Sequence, residues 1–497
     1  MPAYQLSKSS FVRSVQCLKS FHLYKHHYYL KDPLSKDKQA IFSRGIDVGK
    51  LAQQLFPEGV DVSPENIRDY AQSVERTRQL IDSGEKTIYE AAFIYNEVLV
   101  AVDLLVKENN QWFAYEVKSS LKISGAYVLD ASLQYYVIKN CLPQLEDFFI
   151  VVLNSEYVLD DELKINELFR KKSILVDAKK NLSFIENRVS AAKSIAENPR
   201  IPDIKIGAHC FKPYVCDFFG SCWKNIPDKN IFMLNSLGIE KQLELYEQGI
   251  ININDIRDFK GITESLQKQV LSFQQQSKII DHQKINDFLK DVKYPLAFFD
   301  IELYTPAIPV FKGTKPYQQL PFLFSIHVLN TSESNLNHDY FYALPGEDPR
   351  LSFVESCINK LKNIETIIVF DDNLERTIIN ALIKQFPTHQ IELELIRAKL
   401  LDISTVFTQL HYFEPSCIGS FTLKNLYSKI TGDSLFEQLQ ISSGTQASFT
   451  YNALQQEENE IIKKTSENDL TEYCKADTFA CAQLFKHLQN CIQNEVN

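Results

Sequence analysis

Two groups of acidic residues in this sequence have the residue types and the spacing that hold divalent metal ions. The first group is made of Asp103, Glu116 and Lys118. The second, far along the chain, is made of Asp300, Glu302, Tyr473 and Asp477. Carboxylates two residues apart on a strand point to one face, as do side chains four residues apart on a helix. Converging carboxylate oxygens are the ligands that Mg²⁺ and Mn²⁺ prefer, so the pattern predicts two metal centres.

The first group lies on a predicted β-hairpin. Residues 98–106 are rich in β-branched residues, residues 108–111 are typical of a turn, and residues 112–118 form a second strand-like run. Glu116 and Lys118 then share one face of their strand, next to Asp103 on the other. Such carboxylates hold a metal that polarises a phosphate and lowers the pKa of a bound water, and the lysine stabilises developing negative charge. An acid and a lysine two apart are also common on solvated strands, and only the nearby aspartate favours a site.

Cysteines form a third pattern. Cys210, Cys216 and Cys222 are spaced by five intervening residues, and Cys17 lies far upstream in a segment with helical spacing. Thiolates suit an iron-sulfur cluster or a zinc ion. Zinc ribbons more often have cysteine pairs separated by two residues. An iron-sulfur cluster, a zinc ion and free thiols all stay open, and an iron-sulfur cluster is favoured.

Composition limits the class of protein. The 497 residues are 44% hydrophobic and 23% charged, as in globular proteins, and the length suggests roughly three domains. No apolar run is long enough for a membrane helix, and residues 1–17 lack an apolar secretion core, so a cytoplasmic protein without membrane contact is expected. The net charge of −10 argues against a basic coat for nucleic acid, although it does not exclude local basic grooves.

The order of predicted elements indicates an α/β protein with three parts. Residues 1–225 combine helices with the hairpin and a buried strand near residue 150. Residues 226–290 have short amphipathic helical patterns and predict a helical connector, which could be helix-hairpin-helix-like. Residues 291–497 begin with strands at 296–300, 322–328 and 366–370 and continue with helices, the last at 470–490.

The first part resembles RecB-type nucleases of the PD-(D/E)XK superfamily. The run Asp103, Glu116, Lys118 and Gln134, with Tyr135 and Tyr136 after it, is similar to that family's acidic and glutamine motifs. The resemblance implies that Gln134 lies beside the site on a helix and contacts substrate, and that Glu90 is the acid before the hairpin. Residues 45–52 lack the His or Glu that many relatives add as a metal ligand, and Asp47 is the nearest acid. The cysteines resemble those of the iron-sulfur members, which implies a [4Fe–4S] cluster held by Cys17, Cys210, Cys216 and Cys222.

The last part resembles DnaQ-like 3′–5′ exonucleases with four metal-binding acids on an RNase H-like fold. Asp300-Ile301-Glu302 looks like the first motif of that family, and Tyr473 with Asp477 looks like the last. The resemblance implies that Tyr473 orients the attacking water while the acids hold two metals. For the middle acid it favours Glu375, with Asp371 as second choice. Asp402 is expected to support the site without being a ligand.

Nearly the whole chain resembles a bacterial family that fuses these two nuclease domains. The expected function is therefore a metal-dependent deoxyribonuclease with two hydrolytic sites, Mg²⁺ or Mn²⁺ as cofactor and DNA as partner. The implied setting is DNA repair, processing or defence. Two alternatives stay open, which are a nucleic-acid-binding scaffold with inactive sites and an RNA-processing exonuclease.

Overall fold

The computed structural model describes residues 5–66 and 70–493, apart from the side chains of Ala40 and Ser43. It is a mixed α/β protein. The chain divides into two compact units, of which the first comprises residues 1–225 and 306–318 and the second comprises 226–305 and 319–497. Each unit contains one of the two acidic groups.

The first unit is built on a mixed sheet flanked by helices. Its strands are β1 (Leu6–Ser7), β2 (Val60–Asp61), β3 (Thr87–Tyr95), β4 (Val98–Glu108), β5 (Gln111–Lys118), β6 (Leu145–Leu153) and β7 (Phe169–Ser173). Its helices are α1 (Lys8–Gln16), α2 (Leu18–His26), α3 (Lys36–Ala52), α4 (Tyr70–Ser83), α5 (Gly125–Cys141), α6 (Ile165–Leu168), α7 (Leu175–Glu197) and α8 (Phe219–Trp223).

The sheet of the first unit has the order β2-β3-β4-β5-β6-β7, and β1 pairs with β4. The predicted hairpin is confirmed as β4 and β5, which pair antiparallel. Asn109 and Asn110 form its turn with φ values of 50° and 64°, the left-handed backbone that such two-residue turns require. Apolar side chains of α5 and α7 pack on one face of the sheet in a core that includes Ile138 and Val189. The central strands that carry the acidic group are thereby packed against helices on that face.

The predicted N-terminal helix is divided in two at Cys17. This residue has extended backbone angles, φ −163° and ψ 120°, between α1 and α2. The spacing of apolar residues continues through the break, which is why the sequence did not reveal it. As a result Cys17 lies at a helix junction and not within a helix.

The second unit contains a five-stranded sheet and a long C-terminal helix. Its strands are β8 (Ile279–Ile280), β9 (Leu296–Tyr304), β10 (Leu320–Leu329), β11 (Asn337–Tyr342), β12 (Thr366–Val369), β13 (Leu400–Asp402) and β14 (Tyr412–Phe413). Its helices are α9 (Ile239–Glu247), α10 (Glu264–Gln275), α11 (His282–Lys290), α12 (Pro349–Leu361), α13 (Asn373–Gln385), α14 (Gln390–Ala398), α15 (Ser404–Thr408), α16 (Leu423–Thr431), α17 (Gly444–Leu454) and α18 (Glu460–Gln493).

The main sheet of the second unit has the order β11-β10-β9-β12-β13. β10 runs antiparallel to both β9 and β11, whereas β12 is parallel to β9 and to β13. β9 is therefore the central strand. One face packs on a core containing Phe353 and Ile379, and the other on a core containing Phe485 of α18. α18 therefore covers one face of β9, and β12, which leads into α13, pairs with β9 in the sheet.

Two segments depart from a simple three-part chain. The segment 226–290, predicted as a helical connector, contains short helices, 3₁₀ turns and strand β8, which pairs with β14. Its apolar residues, such as Leu245 and Val270, share a core with Leu296 and Phe298 of β9, because short amphipathic helices have no core of their own. The segment 306–318, which follows β9 in the sequence, belongs to the first unit.

None of the helices in the described part of the chain is long and apolar enough to cross a membrane.

Candidate functional site

The second acidic group is assembled from three elements of the second unit. Asp300 and Glu302 lie two residues apart on β9. Tyr473 and Asp477 lie one turn apart on α18, and both are buried. Glu375 lies in the first turn of α13 and is 3% exposed. We refer to these five residues as the second centre.

The acids of the second centre lie close enough for their charges to raise one another's pKa values. Burial and the charge of Glu375 raise the pKa of Asp300 to about 7. Burial and the charges of Asp300 and Asp477 raise the pKa of Glu302 well above its usual range. Burial and the charge of Asp300 likewise raise the pKa of Asp477. Three buried carboxylates and the half-buried Asp300, which repel one another, need positive charge for all of them to be ionised at neutral pH.

The middle acid is presented by a tight turn at the end of β12. Asp371 is exposed and has a left-handed φ of 65°, and its N–H donates to Asp402 Oδ1 at 2.9 Å. Asp402 also accepts hydrogen bonds from the N–H and the hydroxyl of Ser404. Asp402 therefore stabilises the turn, while Glu375 has a buried oxygen, Oε2, without a hydrogen-bond partner in the described chain. Burial raises the pKa of Glu375 to about 8, and Asp371 adds to the shift.

Two residues of this site were not predicted from the sequence. Cys474 donates its S–H toward Asp300 Oδ2 at 3.4 Å, and Asp300, Glu302 and Cys474 have ligand atoms within 4.8 Å of one another. Across the described ranges this is the one group of three such residues with that convergence. Lys424 of α16 donates to the Tyr473 hydroxyl oxygen at 3.1 Å. Neither follows from the spacing of acids, since Lys424 is on another element and Cys474 resembles a core cysteine.

Helix α17 also contributes to the second centre. Its first residue is Gly444, where a Cβ would lie 3.6 Å from Glu302 Oε2. The positive end of a helix dipole favours a nearby carboxylate. The N-terminus of α17 therefore offsets part of the negative charge on Glu302.

The first acidic group lies in a row across three strands. Asp103 of β4 would be opposite Glu116 of β5 when the register Leu104–Tyr115 is extended by one residue. On the other side of Asp103, β4 pairs with β3. Tyr89 pairs with Leu104 and Ala91 pairs with Val102, so Glu90 would face Asp103 at the position between these two pairs. Asp103 Oδ2 accepts a hydrogen bond from the Val117 N–H at 2.5 Å. We refer to Glu90, Asp103, Glu116 and Lys118 as the first centre.

Two lysines compensate the first centre. Lys8 of α1 and Lys118 each donate to Glu116 Oε1 at 2.7 Å. Lys118 also donates to Asp130 Oδ2 at 2.7 Å. Burial raises the pKa of Glu116, but Lys118 and Lys8 outweigh it and lower that pKa to about 2. Burial and the charge of Glu116 raise the pKa of Asp103 well above its usual range. In the first centre, two lysines of the protein therefore pair directly with an acid.

Helix α5 brings Asp130 to the first centre, and Gln134 lies one turn further along the same helix. Gln134 is fully buried, and neither atom of its side-chain amide has a hydrogen-bond partner in the described chain. Glu116 Oε2 and Asp130 Oδ1 are likewise buried and unpaired. Unpaired buried acceptors are costly, so this pattern favours a bound ion or water. Neither Lys8 nor Asp130 was predicted from the sequence. Asp47 of α3 is exposed.

Four cysteines gather in the first unit. Cys17, Cys210, Cys216 and Cys222 all line one small cavity. The pKa of Cys222 is raised by burial and by the other three thiols. No three of their sulfur atoms in the described chain lie within 4.8 Å of one another. A single tetrahedral zinc ion with Zn–S bonds of about 2.3 Å would hold sulfurs about 3.8 Å apart.

Comparison with known protein families gives a match to part of the chain. A family described as "Domain of unknown function (DUF2779)" matches residues 297–422. This region includes Asp300, Glu302 and Glu375 and ends before Tyr473 and Asp477. No curated protein matches the chain.

Proposed function

We propose that the protein is a metal-dependent nuclease that hydrolyses phosphodiester bonds of DNA, with the second centre as its principal site. The observation that carries this proposal is the convergence of four carboxylates, three of them buried and Asp300 half-buried, and a tyrosine from β9, α13 and α18. Asp300 and Glu302 meet a third ligand-type atom within 4.8 Å. The order of strands around β9 is compatible with the RNase H-like fold that the sequence resemblance implies.

The donor set of the second centre fits Mg²⁺ or Mn²⁺. Asp300, Glu302, Glu375 and Asp477 supply only oxygen ligands, which hard cations prefer. The raised pKa values of Asp300 and Glu375, about 7 and about 8, reflect charge that bound cations would neutralise. When bound, two such ions stabilise the attacking and the leaving oxygens of a phosphoryl displacement.

The residues of the chain then position the reactants. In hydrolysis the oxygen of a water forms a bond to phosphorus, the bond from phosphorus to the bridging oxygen breaks, and that oxygen takes up a proton. Tyr473 is 4% exposed and lies one turn from Asp477, so its hydroxyl is held beside the acids. It would orient the water for attack, and burial of the site excludes competing solvent.

The first centre supports a second hydrolytic site of different character. Asp103 and Glu116 would hold a metal, with the unpaired Glu116 Oε2 as the available oxygen. Lys118 would stabilise negative charge on the phosphate or the attacking water. Lys8 and Lys118 already occupy Glu116 Oε1, and we therefore expect weaker metal binding here than at the second centre. Gln134 is fully buried on α5, and a contact between it and substrate stays a prediction from the resemblance.

The cysteine cluster fits an iron-sulfur cluster better than one zinc ion. The sulfurs surround one cavity but are further apart than a single zinc ion requires. In an iron-sulfur cluster each cysteine binds a different iron, so the sulfurs are more widely separated. Cys17 at the α1–α2 junction and the late cysteines would together staple the two ends of the first unit. A [4Fe–4S] cluster is the proposed occupant.

The test is digestion of end-labelled single-stranded DNA, double-stranded DNA and RNA with Mn²⁺ or Mg²⁺. Wild type is compared with Asp300→Asn, Glu116→Gln and the double variant, and Asp287→Asn serves as the matched control, because Asp287 is an exposed acid of the second unit. We expect metal-dependent release of nucleotides from DNA that Asp300→Asn reduces by about a hundredfold or more, since it removes a metal ligand.

The outcome also separates the alternatives. Binding of DNA without cutting, equal in wild type and Asp300→Asn, would favour a nucleic-acid-binding scaffold. Faster digestion of RNA ends than of DNA ends would favour an RNA-processing exonuclease. Activity that survives Asp300→Asn but not Glu116→Gln would make the first centre the principal site.

A further inference from the structure

The second centre contains one lysine that the acidic motifs do not include. Lys424 lies on α16, and its charge lowers the pKa of Asp300, Glu302 and Asp477, opposing the stronger effect of burial on each. A single cation thus acts on three of the four acids. This makes Lys424 part of the centre and not a surface lysine.

The ammonium group of Lys424 is held in place by four contacts. It donates to the Ser442 carbonyl oxygen at 2.7 Å and to the Tyr473 hydroxyl oxygen at 3.1 Å. It also lies 4.4 Å from the centre of the Tyr473 ring and 5.2 Å from that of Phe436. Cations near aromatic faces are stabilised by the ring quadrupole. The position of Nζ is therefore fixed by groups on several elements.

The hydrogen bond from Lys424 determines what the Tyr473 hydroxyl can do. Lysine has only donors, so the phenol oxygen is the acceptor in this pair. The phenol hydrogen then has to point elsewhere, and within the described ranges the Tyr473 hydroxyl donates no hydrogen bond. The third N–H of Lys424 likewise has no hydrogen-bond partner in that part of the chain. Two donors are thus left for a ligand at the second centre.

We propose that Lys424 is a positioning residue, which orients the Tyr473 hydroxyl as a hydrogen-bond donor toward the reacting water or phosphate. This inference rests on the proposed nuclease function and extends it. The substrate feature recognised is an anionic phosphate, because both groups offer only hydrogens in this arrangement.

The test is a double-mutant cycle of Lys424→Met and Tyr473→Phe, measured as kcat and KM on end-labelled DNA with Mn²⁺. Lys424→Met should lower kcat by about tenfold to a hundredfold, the usual cost of losing a residue that orients a catalytic group. In a Tyr473→Phe background the same change should have little further effect on kcat, because the residues act as one unit. Lys424→Arg should restore most of kcat.

Lys429→Met is the matched control, since Lys429 is exposed on the same helix, and it should leave kcat unchanged. Multiplicative losses of kcat in the two variants, or a Lys424→Met variant with wild-type kcat and KM, would overturn the inference while leaving the nuclease proposal intact. A wild-type protein that neither binds nor cuts DNA or RNA would overturn both.

Discussion

Replacing Asp300 by asparagine should stabilise the metal-free protein while strongly reducing its stabilisation by metal. Burial and the charge of Glu375 raise the pKa of Asp300 from 3.8 to about 7. This rise in the pKa corresponds to a cost of at most about 4 kcal/mol for ionising Asp300 in the folded protein. Because the folded pKa lies above the unfolded one, the ionised form costs stability above about pH 7, and this cost disappears as the pH falls toward 3.8.

The expected change in the melting temperature follows from that free energy. A buried amide also needs hydrogen bonds, so we expect about half of the limit, about 2 kcal/mol, at pH 8. For a unit of this size that raises the melting temperature by about 4–8 °C in the presence of a chelator. With Mn²⁺ at about a hundred times its dissociation constant the wild type should gain about 2.7 kcal/mol, and the variant, which lacks a ligand, much less.

The assay is differential scanning calorimetry with and without Mn²⁺. Both tryptophans, Trp112 and Trp223, lie in the first unit, so their fluorescence would not report on the second. Asp287→Asn, which removes an exposed partner of Lys290, should change neither value appreciably. An Asp300→Asn protein that melts below wild type in chelator, or that gains as much from Mn²⁺, would refute the reasoning.

Three further predictions follow from the same electrostatics and from the cysteines. Glu116→Gln should destabilise the first unit by up to about 3 kcal/mol at pH 7. Lys118 and Lys8 lower the pKa of Glu116 to about 2, and the variant loses the stability that the ionised carboxylate contributes above its usual pKa of 4.5. Urea unfolding followed by tryptophan fluorescence measures this loss, and an unchanged unfolding midpoint would contradict the prediction. Burial lowers the pKa of His327 from 6.5 to about 4, so the unfolded chain binds a proton before the folded protein does as the pH falls. Between pH 7 and pH 5 the free energy of unfolding of wild type should therefore fall by about 2 kcal/mol more than that of His327→Gln. Calorimetric stabilities of the two proteins that change in parallel with pH would contradict this prediction. Cys216→Ser should abolish the brown colour and the iron content of the protein after anaerobic purification. Cys141→Ser, which changes an exposed cysteine, should leave both unchanged. Stoichiometric zinc in the wild-type protein would contradict an iron-sulfur cluster.

The strands and helices that carry the two centres could be predicted from the sequence because their signals are local. The β4–β5 hairpin follows from β-branched runs around an Asn-Asn turn, and the i,i+2 and i,i+4 spacings place Asp300 with Glu302 and Tyr473 with Asp477. These patterns depend only on the periodicity of strands and helices.

What the sequence did not reveal depends on contacts between distant segments. Lys8 reaches Glu116 and Lys424 reaches Tyr473 only because other helices pack beside those strands and helices. A lysine on an amphipathic helix has no local signature that separates a site residue from a solvated one. The shared core of residues 226–290 with β9 is also a tertiary property, since the amphipathic pattern identifies an apolar face but not its partner.

The most direct test of the account is a crystal structure grown with Mn²⁺ and measured at the manganese absorption edge. We expect anomalous density bound by Asp300, Glu302 and Asp477, with Glu375 beside it and the Tyr473 hydroxyl facing it. Density at none of these carboxylates, or a structure in which Asp300 and Asp477 face apart, would contradict the claim that this centre binds the catalytic metals.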